Sequence, residues 1–225
     1  MTRGGVDPDF PYLSEFERFR FPDPARIKGD IIAVGGNLSP GMLLSAYENG
    51  IFPWFNDDEP VVWQSPDPRF VLRPHNLHIP KSTEKILRRG IFNVRYNTAF
   101  EEVIQACAAV KREGQDGTWI NPDMIAAYTD MRKLGYAYSA EAWREGKLAG
   151  GCYGLLLPPV FFGESMFTRE DNASKIAFVS LARILFERGV RLIDCQVYTE
   201  HLARFGAVEI PRSEFLSELR MLFLR

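Results

Sequence analysis

The chain has few of the residues that carry common metal and nucleophilic chemistry. Its 225 residues include three cysteines and three histidines. The cysteines, at positions 107, 152 and 195, form no CxxC pair and cannot all join in disulfides, which favours a reducing compartment and argues against structural zinc. His75 and His78 form an HxxH with no evident third ligand. The sequence therefore predicts neither a metal site nor a histidine-based triad.

The chain also lacks long apolar runs and an excess of charge of one sign. No apolar run approaches the roughly 18 residues of a membrane span, and the opening “MTRGGVDPDF” has no signal-peptide core. The formal net charge is −2, so a polyanionic partner would have to be held by a local basic patch. We therefore expect a cytoplasmic, soluble protein with no membrane partner.

The order of strand and helix patterns indicates a mixed architecture. “GDIIAVGG” is typical of a strand, and the helix after it has Ser39 as N-cap, Pro40 in its first turn and Gly50 as its end. Thr98 and Glu101 form a capping box that predicts the start of a later helix. Strand hairpins followed by alternating helices and strands predict an α+β fold, in which helices flank a mixed β-sheet. Residues 1–70 would form a smaller N-terminal α/β unit and residues 71–225 the larger domain.

Two acidic side chains occur inside otherwise apolar strand patterns. Glu164 lies in “VFFGESMF” and Asp194 lies in “VRLIDCQV”. A buried carboxylate is costly unless it is paired, hydrogen-bonded or protonated. Each acid could cap a neighbouring backbone group or pair with an arginine, but two such acids in adjacent predicted strands favour a functional site.

Strand alternation gives the residues near Asp194 their expected directions. Gln196 comes two residues later, so both side chains should lie on one face of the strand and point into the same cavity. Cys195 should then lie on the opposite face. This placement favours a buried, inert thiol over a nucleophile, although His201 is close in sequence.

Four basic side chains are spaced to line one helical face. Lys81, Lys85, Arg88 and Arg89 follow the pattern i, i+4, i+7, i+8. Such a basic stripe is often only a solvated face, and Glu84 lies close to it. On an acidic protein it is nevertheless the best candidate for contact with a phosphate backbone.

Two tryptophans lie in irregular segments beside turn residues. Trp54 occurs in “GIFPWF” and Trp119 in “GTWI”. Such indoles could stack on a base, which is worth about 1–3 kcal/mol per base. The alternative is that both are core tryptophans.

Several unusual strings occur in the order found in one protein family. They include “GGNLSPGMLLSAYENGIFPWF”, “WQSPDPRFVL”, “FFGESMF”, “NASK”, “LIDCQ” and “GAVEIPR”. In these strings, from about residue 29 to 220, the chain resembles the bacterial leucyl/phenylalanyl-tRNA–protein transferases. The resemblance implies transfer of Leu, Phe or Met from its tRNA to a protein with N-terminal Arg or Lys, which marks that protein for degradation. It also implies a C-terminal domain similar to the acetyltransferase (GNAT) fold.

The resemblance also implies roles for particular residues. Asp194 would polarise Gln196, which relays the proton of the acceptor amine or orients that amine, while Glu164 would hold the cationic acceptor or the aminoacyl amine. Trp54 and Trp119 would sandwich the terminal adenosine of the tRNA, and the basic stripe would contact its acceptor stem. The pocket for the transferred side chain would be lined by Cys152, Met166, Phe178, Leu181 and Ile193. No cofactor is expected, because an aminoacyl ester is already activated.

Two other kinds of protein remain as alternatives. A CoA-dependent acetyltransferase usually has a Q/R-x-x-G-x-G/A run where a strand meets a helix N-terminus, but “KLAGGC” lies inside a predicted strand. The second alternative is a non-enzymatic module that binds tRNA or a peptide, but in such a module the two strand acids would have no assigned role. We expect the protein to be a monomer.

Overall fold

The computed structural model describes residues 5–110 and 119–224. Within these ranges the chain forms ten strands, seven α-helices and two short 3₁₀ turns. The strands are β1 Ile31–Val34, β2 Phe52–Pro53, β3 Val62–Gln64, β4 Arg69–Leu72, β5 Asn93–Tyr96, β6 Ala137–Arg144, β7 Lys147–Leu157, β8 Val160–Thr168, β9 Leu192–Gln196 and β10 Val208–Ile210. The helices are α1 Pro40–Glu48, α2 Lys81–Arg89, α3 Phe100–Ala108, α4 Pro122–Lys133, α5 Ala173–Glu187, α6 Glu200–Ala203 and α7 Arg212–Phe223.

A seven-stranded sheet forms the larger part of the fold. Its strand order is β10-β4-β9-β8-β7-β6-β5. Strands β8 and β9 are parallel because α5 connects them, and the remaining pairs are antiparallel. Successive residues of a strand point to opposite faces. A Cβ at Gly150 would meet Ala173 of α5, whereas one at Gly151 would meet Val103 of α3, so helices cover both faces. The predicted mixed sheet flanked by helices is confirmed.

A smaller three-stranded sheet, in the order β1-β3-β2, lies in the first part of the chain. The C-terminal helix α7 is tied to this region by one side chain. The guanidinium of Arg212 donates to the carbonyl oxygens of Ile27, Gly29 and Ser65 at 2.6–2.7 Å. Strand β4, which begins at Arg69, belongs to the large sheet. The division into units 1–70 and 71–225 stays a prediction, because the two parts share a continuous hydrophobic core.

The local signals for helix α1 are mostly found where expected. Pro40 is its first residue, and Gly50 follows its end with φ +71°, a conformation that favours glycine. A Cβ at Gly50 would also lie 2.8 Å from Phe215 and Leu216 of α7. Ser39 occupies the N-cap position, but its hydroxyl makes no capping hydrogen bond.

The capping box predicted at Thr98 and Glu101 is wrong. Helix α3 begins at Phe100 with Ala99 in the N-cap position. The Thr98 hydroxyl instead donates to Glu141 Oε2 at 2.6 Å, and its backbone N–H donates to the same oxygen at 3.3 Å. Glu141 is fully buried, so its carboxylate needs these donors more than the helix terminus does.

Two absences apply to the described part of the chain. None of its helices has the length and apolar character needed to span a bilayer. None of its His, Cys, Asp and Glu side chains form a cluster of three or more that could hold a metal ion.

Candidate active site

A cavity of about 570 Å³ lies between the large sheet, helix α5 and the segment that contains β2. Most residues that the sequence predicted for the site line this cavity. They are Trp54, Trp119, Cys152, Glu164, Met166, Phe178, Leu181, Ile193 and Gln196. Asp194 and the basic stripe of α2 do not line it.

One part of the cavity is apolar and is built from three strands and a helix. Cys152 of β7 is paired in register with Met166 of β8, while Phe178 and Leu181 project from α5 and Ile193 from β9. All but the half-buried Met166 are at least nine-tenths buried. Burial raises the pKa of the Cys152 thiol, so this thiol stays protonated and acts as a small apolar group.

Trp54 follows β2 and is held in place through its backbone. Its N–H donates to the carbonyl of Val62 at 2.9 Å, and its carbonyl accepts from Gln64 Nε2 at 3.1 Å. The indole is half-buried and stacks on Phe52, with ring centroids 6.5 Å apart. Trp119 is 8% exposed and lines the same cavity. Most of the irregular segment predicted around it falls in residues 111–118, outside the described ranges. That these two indoles sandwich an adenosine stays a prediction.

Glu164 of β8 is surrounded by neutral donors. Tyr47 of α1 donates to its Oε1 at 2.6 Å, and Tyr128 of α4 donates to its Oε2 at 3.1 Å. The amide nitrogen of Gln196 donates to Oε1 at 3.1 Å. The two tyrosine hydroxyls also contact each other. The carboxyl group is thus hydrogen-bonded at the cavity wall, and within residues 5–110 and 119–224 no cationic side chain pairs with it.

This environment brings the pKa of Glu164 close to neutral pH. Burial raises the pKa of Glu164 to about 7, although the hydrogen bonds from Tyr47 and Tyr128 partly oppose this rise. Burial also raises the pKa of both tyrosines well above the usual value, so their hydroxyls stay protonated. Both forms of Glu164 are therefore populated near neutral pH.

Asp194 of β9 has a different environment, and its predicted direction is wrong. Its carboxylate accepts from Arg69 Nε at 2.8 Å and from Arg69 Nη2 at 2.6 Å, and both side chains are fully buried. The guanidinium lies between the rings of Phe52 and Phe215, 4.8 and 4.6 Å from their centroids. A carboxylate with no access to water requires such a partner. Pairing with an arginine was the alternative that the sequence left open.

Gln196 is connected to Asp194 through its backbone and not through its side chain. Its N–H donates to Asp194 Oδ1 at 2.9 Å, whereas its side-chain amide donates to Glu164. Its φ of +64° lies in the left-handed region, a strained conformation for a residue other than glycine. Asp194 therefore holds the backbone conformation that directs the Gln196 amide into the cavity.

Strand alternation places Cys195 on the side of β9 that faces the cavity. Cys195 is buried and lies on the face opposite Asp194, as predicted, but that face lines the cavity, because Ile193 two residues earlier lines it as well. Gln196 lines the same cavity although it directly follows Cys195, because its backbone leaves the extended conformation. Burial raises the pKa of the Cys195 thiol, which therefore stays protonated.

The basic stripe lies on the outer surface of α2, and all four of its side chains are exposed. Arg88 Nη2 forms an ion pair with Glu84 Oε2 at 3.2 Å. Helix α2 packs against α5, which lines the cavity. Contact of the stripe with tRNA stays a prediction.

Sequence reasoning missed three residues that define this site. They are Tyr47, Tyr128 and Arg69, none of which a local sequence pattern marks as part of a site. A buried acid implies donors, and buried tyrosine hydroxyls usually have a polar partner. That signal could have suggested tyrosines as a class but could not select these two.

The fold and site define an α+β protein with one deep, largely apolar cavity whose wall carries a protonatable carboxyl group. Residues 71–220 match the family described as leucyl/phenylalanyl-tRNA protein transferase, and residues 36–67 match the N-terminal domain of the same family. The chain belongs to the leucyl/phenylalanyl-tRNA–protein transferase family, a family of aminoacyltransferases.

Curated relatives of that name cover nearly the whole chain. The protein from Myxococcus xanthus is 54% identical over 208 residues, which are 92% of this chain and 89% of the relative. The protein from Anaeromyxobacter sp. (strain Fw109-5) is 56% identical, over 88% of this chain and 85% of the relative. The protein from Nitratidesulfovibrio vulgaris (strain DP4) is 50% identical, over 92% and 88%.

Similar solved structures are far more distant. An aminoglycoside acetyltransferase from a soil metagenome aligns with a TM-score of 0.41 at 15% identity, over 52% of this chain and 86% of that one. A GCN5-related N-acetyltransferase from Kribbella flavida aligns with a TM-score of 0.40 at 13% identity, over 76% and 61%. Likeness at these TM-scores carries no conclusion about this protein.

Proposed function

We propose that the protein transfers Leu, Phe or Met from aminoacyl-tRNA to the N-terminal Arg or Lys of an acceptor protein. The new peptide bond would mark the acceptor for degradation. One observation carries the proposal: a single cavity joins an apolar pocket, two tryptophans and the Glu164–Gln196 pair. It does so in a chain 50–56% identical to proteins named as leucyl/phenylalanyl-tRNA–protein transferases.

The proposed reaction needs positioning and removal of protons more than a protein nucleophile. The ester between the amino acid and the ribose is already activated, so the acceptor amine can attack its carbonyl carbon directly. The C–N bond forms, the ester C–O bond breaks, and the ribose oxygen leaves with a proton. An α-ammonium group has a pKa of about 8 and must first lose a proton to attack.

Glu164 is the group best suited to take that proton. With a pKa of about 7 it is substantially ionised at neutral pH and still basic enough to accept a proton. Its carboxylate would also attract the cationic acceptor before the proton moves. The hydrogen bonds from Tyr47 and Tyr128 fix the carboxyl plane, so the acceptor meets a preorganised base.

Gln196 would orient the amine and not remove its proton. Its Nε2 donates to Glu164 Oε1. Its Oε1 has no partner among the described residues and can accept a hydrogen bond from an N–H of the attacking amine. A neutral amide is a weak base, so orientation is the role that its chemistry allows. Asp194 acts one step further away, because with Arg69 it holds the Gln196 backbone. It is a positioning residue in this proposal.

The remaining predicted residues would bind the rest of the substrate. Trp54 and Trp119 would stack on the terminal adenosine. The apolar side of the cavity would take the transferred side chain through Cys152, Met166, Phe178, Leu181 and Ile193. The basic stripe of α2 would contact the acceptor stem. The affinity for tRNA would then fall as the salt concentration rises, because these contacts release counterions from the phosphates. A monomer in the cytoplasm, where charged tRNA is found, fits this function.

A direct assay separates this function from its alternatives. The protein is incubated with Phe-tRNA and an Arg-starting peptide, without CoA or ATP, and the peptide is examined by mass spectrometry. We expect a mass increase of one phenylalanine residue, and none with an otherwise identical peptide that starts with Glu. Acetylation when acetyl-CoA is supplied in place of Phe-tRNA would support the acetyltransferase instead. Tight tRNA binding without any product would support a non-enzymatic module.

A further inference from the structure

The first turn of helix α5 forms an uncapped helix N-terminus at the cavity. The helix has 15 residues and no acidic residue in its first turn. Its N-cap residue, Asn172, does not cap it, because the Asn172 Oδ1 accepts from Lys175 Nζ at 3.1 Å. Among the described residues, the backbone N–H groups of Ser174 and Lys175 have no acceptor. These N–H groups carry the positive end of the helix dipole.

A second polar group at the same place also lacks a partner. Ser174 lines the cavity and is 8% exposed, yet its hydroxyl has no hydrogen bond within the part of the chain that the structure describes. The hydroxyl can therefore donate to a molecule in the cavity. Ser174, Phe178 and Leu181 follow the spacing i, i+4, i+7 and share the helix face that lines the cavity. The unpartnered hydroxyl therefore lies at the N-terminal end of the same wall that forms the apolar pocket.

The neighbouring strand packs closely against this turn. A Cβ at Gly150 of β7 would lie 2.8 Å from the backbone nitrogen of Ser174 and 2.7 Å from the Ala173 Cβ. Any larger residue there would cover the helix terminus or push it away. Glycine at position 150 thus permits the close approach of α5 to the sheet.

The charges around this turn favour an anion. Lys175 lies in the turn, and Arg204 is close enough that both cations, together with burial, lower the pKa of His201, another cavity residue. Glu170, just before the helix, is neutralised by Arg144 at 3.0 Å. Asp171 is exposed to solvent, where its charge is screened.

We propose that the N-terminal turn of α5 binds a phosphate group of the nucleotide substrate, through the Ser174 hydroxyl and the free N–H groups of Ser174 and Lys175. This inference rests on the proposed function for its substrate: the phosphate is the one that joins the terminal adenosine to the preceding nucleotide. Free N–H groups at a helix N-terminus and a hydroxyl donor are the usual partners of a phosphate. The site would add affinity for tRNA at the nucleoside end of the cavity, separately from the α2 stripe.

Binding of small nucleotides tests the site without relying on turnover. Calorimetry on the full chain would compare adenosine with adenosine 5′-monophosphate. We expect the wild-type protein to bind the phosphate-bearing nucleotide about tenfold more tightly, the scale of one charge-assisted hydrogen bond. The Ser174→Ala variant should reduce that ratio to about twofold. Ser180→Ala, on the same helix but outside the cavity lining, should keep the wild-type ratio.

Three results would overturn the inference. Equal affinities of the two nucleotides in the wild-type protein would show that the turn binds no phosphate. An unchanged ratio in Ser174→Ala, with Ser180→Ala equally unchanged, would place the phosphate elsewhere. Tighter binding of coenzyme A than of adenosine 5′-monophosphate would assign the turn to a different nucleotide. The Phe-tRNA assay gives an independent result, so the proposed function can stand if the phosphate site fails.

Discussion

Glu164 and Asp194 lie on neighbouring parallel strands of the same sheet, and they illustrate two ways to bury a carboxyl group. Glu164 receives hydrogen bonds from neutral tyrosine and amide groups and lines the cavity. Asp194 forms a bidentate ion pair with Arg69 away from the cavity. A cation stabilises the charged form strongly, whereas neutral donors only partly offset desolvation. Glu164 can therefore exchange a proton near neutral pH, whereas Asp194 is held in an ion pair and contacts the backbone of Gln196, which donates to Glu164.

The largest expected effect is the loss of stability that follows when the Arg69–Asp194 ion pair is broken. Arg69→Met removes the cation and leaves Asp194 as an unpaired buried charge, so the free energy of unfolding should fall by about 3–5 kcal/mol. Urea denaturation at pH 7 measures this change. The double variant Arg69→Met/Asp194→Leu should recover much of the loss, because neither charge then remains buried. A double variant no more stable than Arg69→Met would show that the guanidinium contributes mainly through its packing between Phe52 and Phe215.

The free energy of unfolding should depend on pH through the titration of Glu164. Its folded-state pKa of about 7 lies above the usual 4.5, so folding favours the neutral form. The associated stability is present below pH 4.5 and is lost as pH rises through 7. Relative to wild type, Glu164→Gln should therefore gain up to about 3 kcal/mol between pH 4.5 and pH 8. Denaturation curves of both proteins across that range measure the difference, and a constant difference would mean that Glu164 does not titrate there.

The reaction rate should distinguish Glu164, the proposed base, from Asp194, the proposed positioning residue. Glu164→Gln keeps the shape but removes the proton acceptor, so transfer should fall by about 10²-fold. It should also lose the rise in kcat/KM that wild type shows near pH 7. Asp194→Asn serves as the control: its rate should fall, but the rise near pH 7 should remain, because Glu164 is intact. If Asp194→Asn abolishes the rise while Glu164→Gln keeps it, Asp194 is the proton-handling group.

The smallest expected effect is a shift of that pH profile. Tyr47 donates to Glu164 at 2.6 Å and thereby lowers its pKa. Tyr47→Phe removes the donor, so the midpoint of the rise in kcat/KM should move to higher pH, by about one unit for a lost hydrogen bond worth about 1.4 kcal/mol. Tyr136→Phe, a half-buried tyrosine outside the cavity lining, provides the control. A shift to lower pH would contradict the assignment of Tyr47 as donor to the carboxylate.

Local patterns predicted much of this structure. Helix α2 runs over Lys81–Arg89 and is followed by Gly90 in the left-handed conformation, as its sequence indicates. The apolar residues that the family resemblance implied for the pocket all line one cavity. Local patterns did not predict the end of β9. There Gln196 has a positive φ and its N–H donates to Asp194, and the Gln196 side chain lines the cavity whereas that of Asp194 does not.

The sequence by itself determined that two strands would each bury an acid, that an apolar pocket would lie beside them, and which family the chain belongs to. Only the tertiary structure decided what each acid contacts. Arg69 is 125 positions from Asp194, and Tyr47 is 117 positions from Glu164. Contacts over such distances depend on strand order, register and helix packing, which no local periodicity encodes. Because the partners decide whether a buried carboxyl group can exchange a proton or is held in an ion pair, the different roles of Glu164 and Asp194 depend on the folded molecule.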